Sequence, residues 1–118
     1  MLLGEYVHLN RLLSHSNGKY LGITVDHAMA RGVLPGLEHI DSLIGQIVEG
    51  APDALTMHKG IASYCYKKYA GSVPLVVKCT TFSPVHPDMD VKVCTVKEAL
   101  SLGADAISVG AIVLGKHQ

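Results

Sequence analysis

The segment EGAPDALTMH, residues 49–58, decides the fold because it joins the end of a predicted helix directly to a buried strand. The segment LGADAISVG, residues 102–110, repeats this order, with a helix end, Gly-Ala, Asp-Ala and then an apolar strand. Repeated helix-to-strand joints are typical of proteins built from βα units. They predict either a (βα) barrel or an open, doubly wound sheet.

Apolar runs on either side of these joints predict the strands of the sheet. There are four of them, at residues 20–25, 54–58, 75–80 and 106–113. Because these runs are apolar throughout, and do not alternate with polar residues, they are typical of a parallel sheet. The predicted fold class is therefore α/β, with about four parallel βα units.

The predicted helices lie between these strands, where apolar residues recur at helical spacing. They cover residues 5–13, 37–48 and 61–69, with a further helix after Thr95. Thr95 and Glu98 form a T-x-x-E capping box at the start of that last helix. Two remaining segments are predicted to lack regular structure: a turn at residues 14–19 and a long, proline-containing loop at residues 81–93.

The composition excludes several classes of protein. The chain has 118 residues, 48% of them hydrophobic and 17% charged, which indicates one globular domain. Ten Lys and Arg residues balance ten Asp and Glu residues, so no field of one sign would attract nucleic acid or a membrane surface. Three cysteines without a CxxC pair, and no apolar run of signal-peptide or membrane-spanning length, predict a cytoplasmic protein.

The segment GITVDHAMARG, residues 22–32, contains the first candidate for catalysis. In βα folds, chemistry collects at the carboxyl ends of the strands, and Asp26 and His27 directly follow the first strand. A carboxylate at a dry strand end can transfer protons, because burial and nearby lysines tune its pKa. In the alternative interpretation, Asp26 only caps the following loop by accepting hydrogen bonds from its backbone.

Two lysines lie at or near the ends of the next strands. Lys59 follows the second strand, and Lys78 lies inside the apolar run VVKCT. Because burying an unpaired ammonium group is costly, Lys78 must either point into a barrel mouth or extend outward at the rim. In a barrel mouth it could form a Schiff base, pair with a carboxylate or hold a phosphate.

Histidines follow three successive strands, at His27, His58 and His86. This placement permits a zinc or iron site, and a metal-dependent barrel enzyme is one alternative function. However, no H-x-H or H-E-x-x-H motif accompanies them, and an isolated histidine is more often a hydrogen-bonded structural residue. The sequence therefore predicts no bound metal and no cofactor.

Several short motifs, taken together and in order, resemble a known family over nearly the whole chain. They are Val25-Asp26-His27-Ala28, Arg31-Gly32 before Pro35-Gly36-Leu37, His58-Lys59-Gly60 and Gly103-Ala104-Asp105-Ala106. The family is that of the archaeal-type class I fructose-bisphosphate aldolases, whose N-terminal half the chain resembles. The wider group includes aminodideoxyheptulosonate synthase and the thiolase that acts on phosphorylated autoinducer-2.

This resemblance implies a fold, a reaction and a substrate class. Residues 1–118 would form one partial domain, the first half of a TIM (βα)₈ barrel, with lyase chemistry on a phosphorylated sugar through a lysine Schiff base. Asp26 matches the family's proton-transferring aspartate, and His27, Lys59 and Lys78 are then candidate substrate-binding residues. Ala28 replaces the glycine that the family usually has, which should slightly stiffen the loop.

The resemblance also implies that the chain by itself lacks catalysis. The family's Schiff-base lysine lies on a strand beyond the end of this chain, and neither Lys59 nor Lys78 matches it. A second hypothesis is therefore a non-catalytic module for sugar-phosphate binding or assembly. A half barrel has two open sheet edges, and we expect its inward face to be apolar, with side chains such as Ile23, Leu55, Val77 and Ile107. Both features predict a homo-oligomer.

Overall fold

A four-stranded parallel sheet forms the centre of the chain in the computed structural model, which describes residues 1–15 and 17–113. Its strands lie side by side in chain order: β1 (Gly22–Thr24), β2 (Ala54–His58), β3 (Leu75–Lys78) and β6 (Ala106–Ser108). This order is the one found in barrels, because open doubly wound sheets reverse direction at a switch point. The predicted α/β fold with four parallel strands is confirmed.

Short helices connect the strands. They are α1 (Leu3–Leu12), α2 (His27–Arg31), α3 (Ile40–Glu49), α4 (Lys59–Cys65) and α5 (Val96–Ser101), with a 3₁₀ turn at Lys67–Tyr69. Helix α2 lies where the sequence indicated only a loop, and the residue after its end, Gly32, has a φ of 74°, which favours glycine. Among the helices of the described residues, none is long and apolar enough to cross a membrane. Ser16, inside the predicted turn at 14–19, lies outside the described residues.

The core lies between the sheet and the helices. Leu55 and Val77 are fully buried there, packed in one cluster with Ile44 of α3 and Ala99 of α5. The expectation that Leu55 and Val77 face the barrel interior is therefore wrong. Successive side chains of a strand point to opposite faces of the sheet. The larger apolar side chains lie on the face beneath the helices, so the residues next to them in the chain lie on the other face.

The opposite face of the sheet carries small and polar side chains. The parallel register places Thr24 beside Thr56, Thr56 beside Val76, and Val76 beside Ala106. The same register makes Ile23 and Ile107, at the two edges, share the helix-covered face with Leu55 and Val77. They are therefore not on the inward face either. This face is thus less apolar than expected, which weakens one of the two arguments for self-association.

Residues 81–93 form most of an antiparallel hairpin, where the sequence predicted a long loop. Strands β4 (Thr80–Ser83) and β5 (His86–Lys92) pair with Phe82 opposite Asp90. Pro84 lies in the turn between the strands, and Pro87 is tolerated in β5 because each strand of a two-stranded ribbon has one unpaired edge, where a missing N–H costs nothing. At the base of the hairpin, the amides of Val93 and Cys94 donate to the Cys79 carbonyl oxygen at 2.8 and 3.2 Å.

Two buried aspartates explain the repeated Asp-Ala joint. The Asp53 N–H donates to the Leu21 carbonyl oxygen at 2.9 Å, and the Asp53 carboxylate accepts the Leu21 N–H at 2.6 Å. Asp105 makes the same pair of bonds with Leu75, at 2.8 and 3.1 Å. Each aspartate therefore joins the start of its own strand to the start of the preceding one in the sheet.

The N-terminal segment binds the free oxygens of the same two aspartates. His15 contacts the Asp53 carboxylate, while His8 and Arg11 of α1 contact the Asp105 carboxylate at 2.9 and 3.1 Å. The backbone hydrogen bond from Leu21, supported by His15, lowers the pKa of Asp53. Helix α1 has no buried residue, so these polar contacts hold it across the amino ends of the strands.

The predicted capping box at the start of α5 is present. The Glu98 N–H donates to Thr95 Oγ1 at 3.1 Å, and the Thr95 N–H donates to Glu98 Oε2 at 2.7 Å. Lys59 Nζ donates to Glu98 Oε1 at 2.7 Å. The Lys59 contact, followed by the hydrogen bonds from Thr95, lowers the pKa of Glu98 to about 2.

We expect Glu98→Gln to lower the melting temperature at neutral pH, because the charged form of Glu98 binds Lys59 and Thr95 in the folded chain. A carboxyl group whose pKa is lowered on folding stabilises the fold above its unfolded pKa and ceases to do so as pH falls. The difference between wild type and variant should therefore shrink below pH 4.5 and vanish near pH 2. Melting curves across this range test it, with Glu49→Gln on α3 as the matched control. A difference that persists to pH 2 contradicts the assignment.

Candidate functional site

A cavity of about 360 Å³ opens at the carboxyl ends of the parallel strands. Its walls come from the end of β1, helix α2, the ends of β2 and β3, the β4–β5 hairpin and the segment after β6. Six of its lining residues have ionisable side chains: Asp26, Arg31, His27, His58, Lys78 and Asp90. The convergence of these groups at one edge makes this cavity the candidate functional site.

Asp26 lies at the rim of this cavity and is half-buried. Its Oδ1 accepts a hydrogen bond from Thr24 Oγ1 at 2.5 Å. Helix α2 begins at the next residue, yet the Asp26 side chain accepts no capping hydrogen bond from it. The structure thus does not support the interpretation of Asp26 as a backbone cap. The Thr24 hydroxyl holds one carboxylate oxygen and leaves Asp26 facing the cavity.

Lys78 and His58 lie side by side at the ends of β3 and β2. The His58 ring is buried, and its Nδ1 lies 3.1 Å from the Lys78 carbonyl oxygen. Because a carbonyl oxygen only accepts, Nδ1 carries the proton in this contact. The sequence analysis placed His58 at a strand end, as a possible metal ligand or a hydrogen-bonded structural residue, and its contact with the Lys78 carbonyl oxygen fits the second interpretation.

Lys59 lies outside the cavity, although it follows His58 directly. It is the first residue of α4, and its ammonium group pairs with Glu98 in a separate groove between α4 and α5. The structure therefore brings together three of the four predicted site residues, Asp26, His27 and Lys78, and places Lys59 elsewhere. The reason is that a strand end and a helix start project their side chains in different directions.

The histidines are not gathered in one place. His27 and His58 line the cavity, whereas His86 is exposed on the hairpin and is not part of the cavity wall. Within residues 1–15 and 17–113, no group of three or more His, Cys, Asp or Glu side chains is arranged to hold a metal ion. The described residues therefore give no support to the alternative of a metal-dependent enzyme.

The hairpin wall of the cavity contains Asp90, a polar residue that the sequence interpretation missed. The Gly110 N–H donates to Thr80 Oγ1 at 2.7 Å, and the Thr80 hydroxyl lies 2.9 Å from Asp90 Oδ2. The alternation of polar and apolar residues from His86 to Lys92 indicated a strand here. The sequence analysis predicted a loop instead, because the segment contains two prolines. Arg31, on α2, is a second cation that lines the same cavity as Lys78. The sequence analysis named Arg31 only as part of the Arg31-Gly32 motif.

A family model described as DeoC/LacD family aldolase matches residues 20–117. The chain belongs to the DeoC/LacD aldolase family. This confirms the resemblance to the class I aldolases.

Individual members of the aldolase family cover most of this chain. The 2-amino-4,5-dihydroxy-6-oxo-7-(phosphonooxy)heptanoate synthase of Streptomyces griseus is 29% identical over 105 residues, 87% of this chain and 38% of that protein. The 2-amino-3,7-dideoxy-D-threo-hept-6-ulosonate synthase of Halobacterium salinarum is 30% identical over 117 residues, 98% of this chain and 43% of that protein. The chain therefore spans about two fifths of the length of these curated relatives.

The fold of a solved aldolase agrees with this assignment. A structure of a Schiff-base-forming fructose-1,6-bisphosphate aldolase superposes with a TM-score of 0.61 at 27% identity. The match covers 86% of this chain and 43% of that one. The described chain thus has the architecture of the first part of an aldolase barrel.

Proposed function

We propose that the cavity binds a phosphorylated sugar and forms one part of the active site of a Schiff-base aldolase. The observation that supports this most directly is that Asp26, Lys78 and Arg31 line one cavity at the strand ends of an aldolase-family chain. The names of the relatives give further support, since one contains a phosphonooxy group and another is a fructose-1,6-bisphosphate aldolase.

In this proposal the two cations bind the phosphate. Lys78 presents a compact ammonium group and Arg31 a planar guanidinium, and both chemistries suit phosphate oxygens. Among the described residues, neither cation takes part in an ion pair with Asp26 or Asp90. Both positive charges therefore remain available to an anionic ligand.

Asp26 is the proton-transferring group in this proposal. Aldol cleavage requires a base to remove the proton from the hydroxyl group on the carbon that becomes the aldehyde, while the electrons of the broken C–C bond flow toward the imine. An acceptor carboxylate at the cavity rim, oriented by Thr24, suits this role. The imine-forming lysine of the family matches neither Lys59 nor Lys78, and we assign it to the part of the barrel that this chain does not span.

We expect fructose 1,6-bisphosphate, but not fructose, to shift the amide resonances of the cavity residues saturably in ¹⁵N NMR spectra. Lys78→Met should weaken this binding about tenfold or more, because it removes a charged hydrogen-bond donor. Lys97→Met, on α5 outside the cavity, is the matched control and should leave the affinity unchanged. Equal affinities for wild type and Lys78→Met, or no saturable shifts at all, would contradict the proposed function.

Reduction with borohydride distinguishes the aldolase proposal from the alternative of a non-catalytic binding module. Only an imine between the sugar phosphate and a lysine is reduced to a stable adduct. For the chain alone, both hypotheses predict binding without an adduct, so the deciding sample also contains the C-terminal part of a related aldolase barrel, and there only the aldolase proposal predicts an adduct. An adduct on the chain alone would assign imine formation to one of its own lysines. Lys78 would be the first lysine to check for the adduct, because it lines the cavity.

Self-association remains part of the proposal. Within the described residues, β1 and β6 each pair with a neighbour on one side only, so both edges of the parallel sheet are open. Open edges favour pairing with further strands. A homo-oligomer, or association with the strands that complete the barrel, would cover them.

A further inference from the structure

The hairpin wall of the cavity contains a hydrogen-bond relay of fixed direction. The Gly110 N–H can only donate, so Thr80 Oγ1 accepts that bond and uses its own proton to donate to Asp90 Oδ2. A Cβ atom at position 110 would collide with the Asp90 carboxylate. Glycine at this position therefore allows the segment after β6 to approach closely enough to complete the relay.

Within residues 1–15 and 17–113, the second oxygen of the Asp90 carboxylate has no hydrogen-bond partner. Asp90 Oδ1 is buried, and no hydrogen-bond donor reaches it among the described residues. None of the ion pairs found there includes Asp90 either. Leaving a buried acceptor unpaired is unfavourable, and such groups in folded proteins call for a missing donor. Because Asp90 lines the cavity, a molecule bound there is the natural source of that donor.

We propose that Asp90 recognises the sugar because its Oδ1 accepts a hydrogen bond from a hydroxyl group of the sugar. This inference rests on the proposed function of the cavity. A carboxylate repels phosphate, so the phosphate lies toward Lys78 and Arg31, and the hydroxyl groups are the donors that the sugar presents to the hairpin. A site that holds a buried, unpaired acceptor rejects a ligand that lacks the hydroxyl, because the acceptor then stays unpaired.

The test compares two probes with the same charge and carbon number. Fructose 1,6-bisphosphate has hydroxyl groups between its phosphates, and hexane-1,6-diol bisphosphate has none. Their dissociation constants are measured by calorimetry for the wild-type chain and for Asp90→Ala. The ratio of the two constants is the readout, because removing the negative charge of Asp90 strengthens binding of both bisphosphates alike and cancels in the ratio.

We expect the wild-type chain to prefer the sugar bisphosphate, and Asp90→Ala to reduce this preference about tenfold, the effect of one hydrogen bond to a charged group. Asp90→Asn keeps an acceptor oxygen and should retain part of the preference. Gly110→Ala keeps the carboxylate but displaces it, and should lose the preference as well. Asp41→Ala, an exposed carboxylate on α3, is the matched control and should change nothing.

The outcomes separate this inference from the proposed function. If the wild-type chain binds neither probe, the proposed function fails and the role of Asp90 fails with it. If it binds both probes and Asp90→Ala keeps the full preference for the sugar, the cavity binds bisphosphates but Asp90 does not read their hydroxyl groups. Melting curves of each variant exclude unfolding as the cause of a lost preference.

Discussion

Asp26→Asn is expected to lower the rate of aldol cleavage about 10²–10⁴-fold while leaving the fold intact. An amide cannot accept the proton of the substrate hydroxyl, so the variant would bind the sugar phosphate but not transfer the proton. The Thr24 hydroxyl can still donate to the amide oxygen of the new side chain, since the contact in the wild type runs from Thr24 Oγ1 to an Asp26 oxygen. The substitution therefore removes the chemistry and preserves the local hydrogen bond.

The measurement for Asp26 is the release of triose phosphate from fructose 1,6-bisphosphate, together with melting curves. The chain is assayed alone and mixed with the C-terminal part of a related aldolase barrel that supplies the imine-forming lysine. Asp41→Asn is the control and should keep full activity. If Asp26→Asn leaves the rate unchanged, Asp26 does not transfer the proton and only accepts the hydrogen bond from Thr24. If the wild-type chain cleaves nothing in either assay, the catalytic claim fails and family membership remains.

Asp105→Ala is expected to lower the free energy of unfolding by about 2–4 kcal/mol. The Asp105 carboxylate is almost fully buried and accepts hydrogen bonds from the Leu75 N–H, His8 and Arg11. Removing it leaves the buried Leu75 N–H without an acceptor and two basic groups of α1 without their partner. Helix α1 buries no residue of its own, so it should detach before the sheet unfolds.

Urea unfolding of the purified variants tests the role of Asp105. Asp105→Asn keeps an acceptor for the Leu75 N–H but loses the charge that binds Arg11, so its stability should lie between wild type and Asp105→Ala. Asp41→Ala, on the exposed side of α3, should change the free energy of unfolding by less than about 0.5 kcal/mol. Equal stability of Asp105→Ala and Asp41→Ala would show that the buried carboxylate does not hold the strands together.

Local patterns were sufficient to predict the order of the four parallel strands and of most helices between them, but not α2 or the β4–β5 hairpin. The strand at 54–58 has the predicted limits, and the Thr95–Glu98 box caps α5 as expected. These features depend on residues close together in the chain, namely apolar periodicity and a side chain that reaches the backbone three residues away. The position of Asp26 and His27 after the first strand follows from the same local reasoning.

Contacts between distant segments decided the rest. The repeat around Asp53 and Asp105 was visible in the sequence, but its purpose depends on hydrogen bonds to Leu21 and Leu75, some 30 residues earlier. The partner of Lys59 was equally hidden, because Glu98 reaches it only when α4 and α5 lie side by side.

The sequence by itself determined the βα order, the parallel sheet and the polar residues at its carboxyl edge, because apolar periodicity and strand ends are local properties. Only the tertiary structure decided which side of each strand faces the helices, since alternation is the same whichever face is covered. It also decided that residues 81–93 pair as a hairpin and bring Asp90 to the cavity, because strand pairing depends on a partner that no single segment contains.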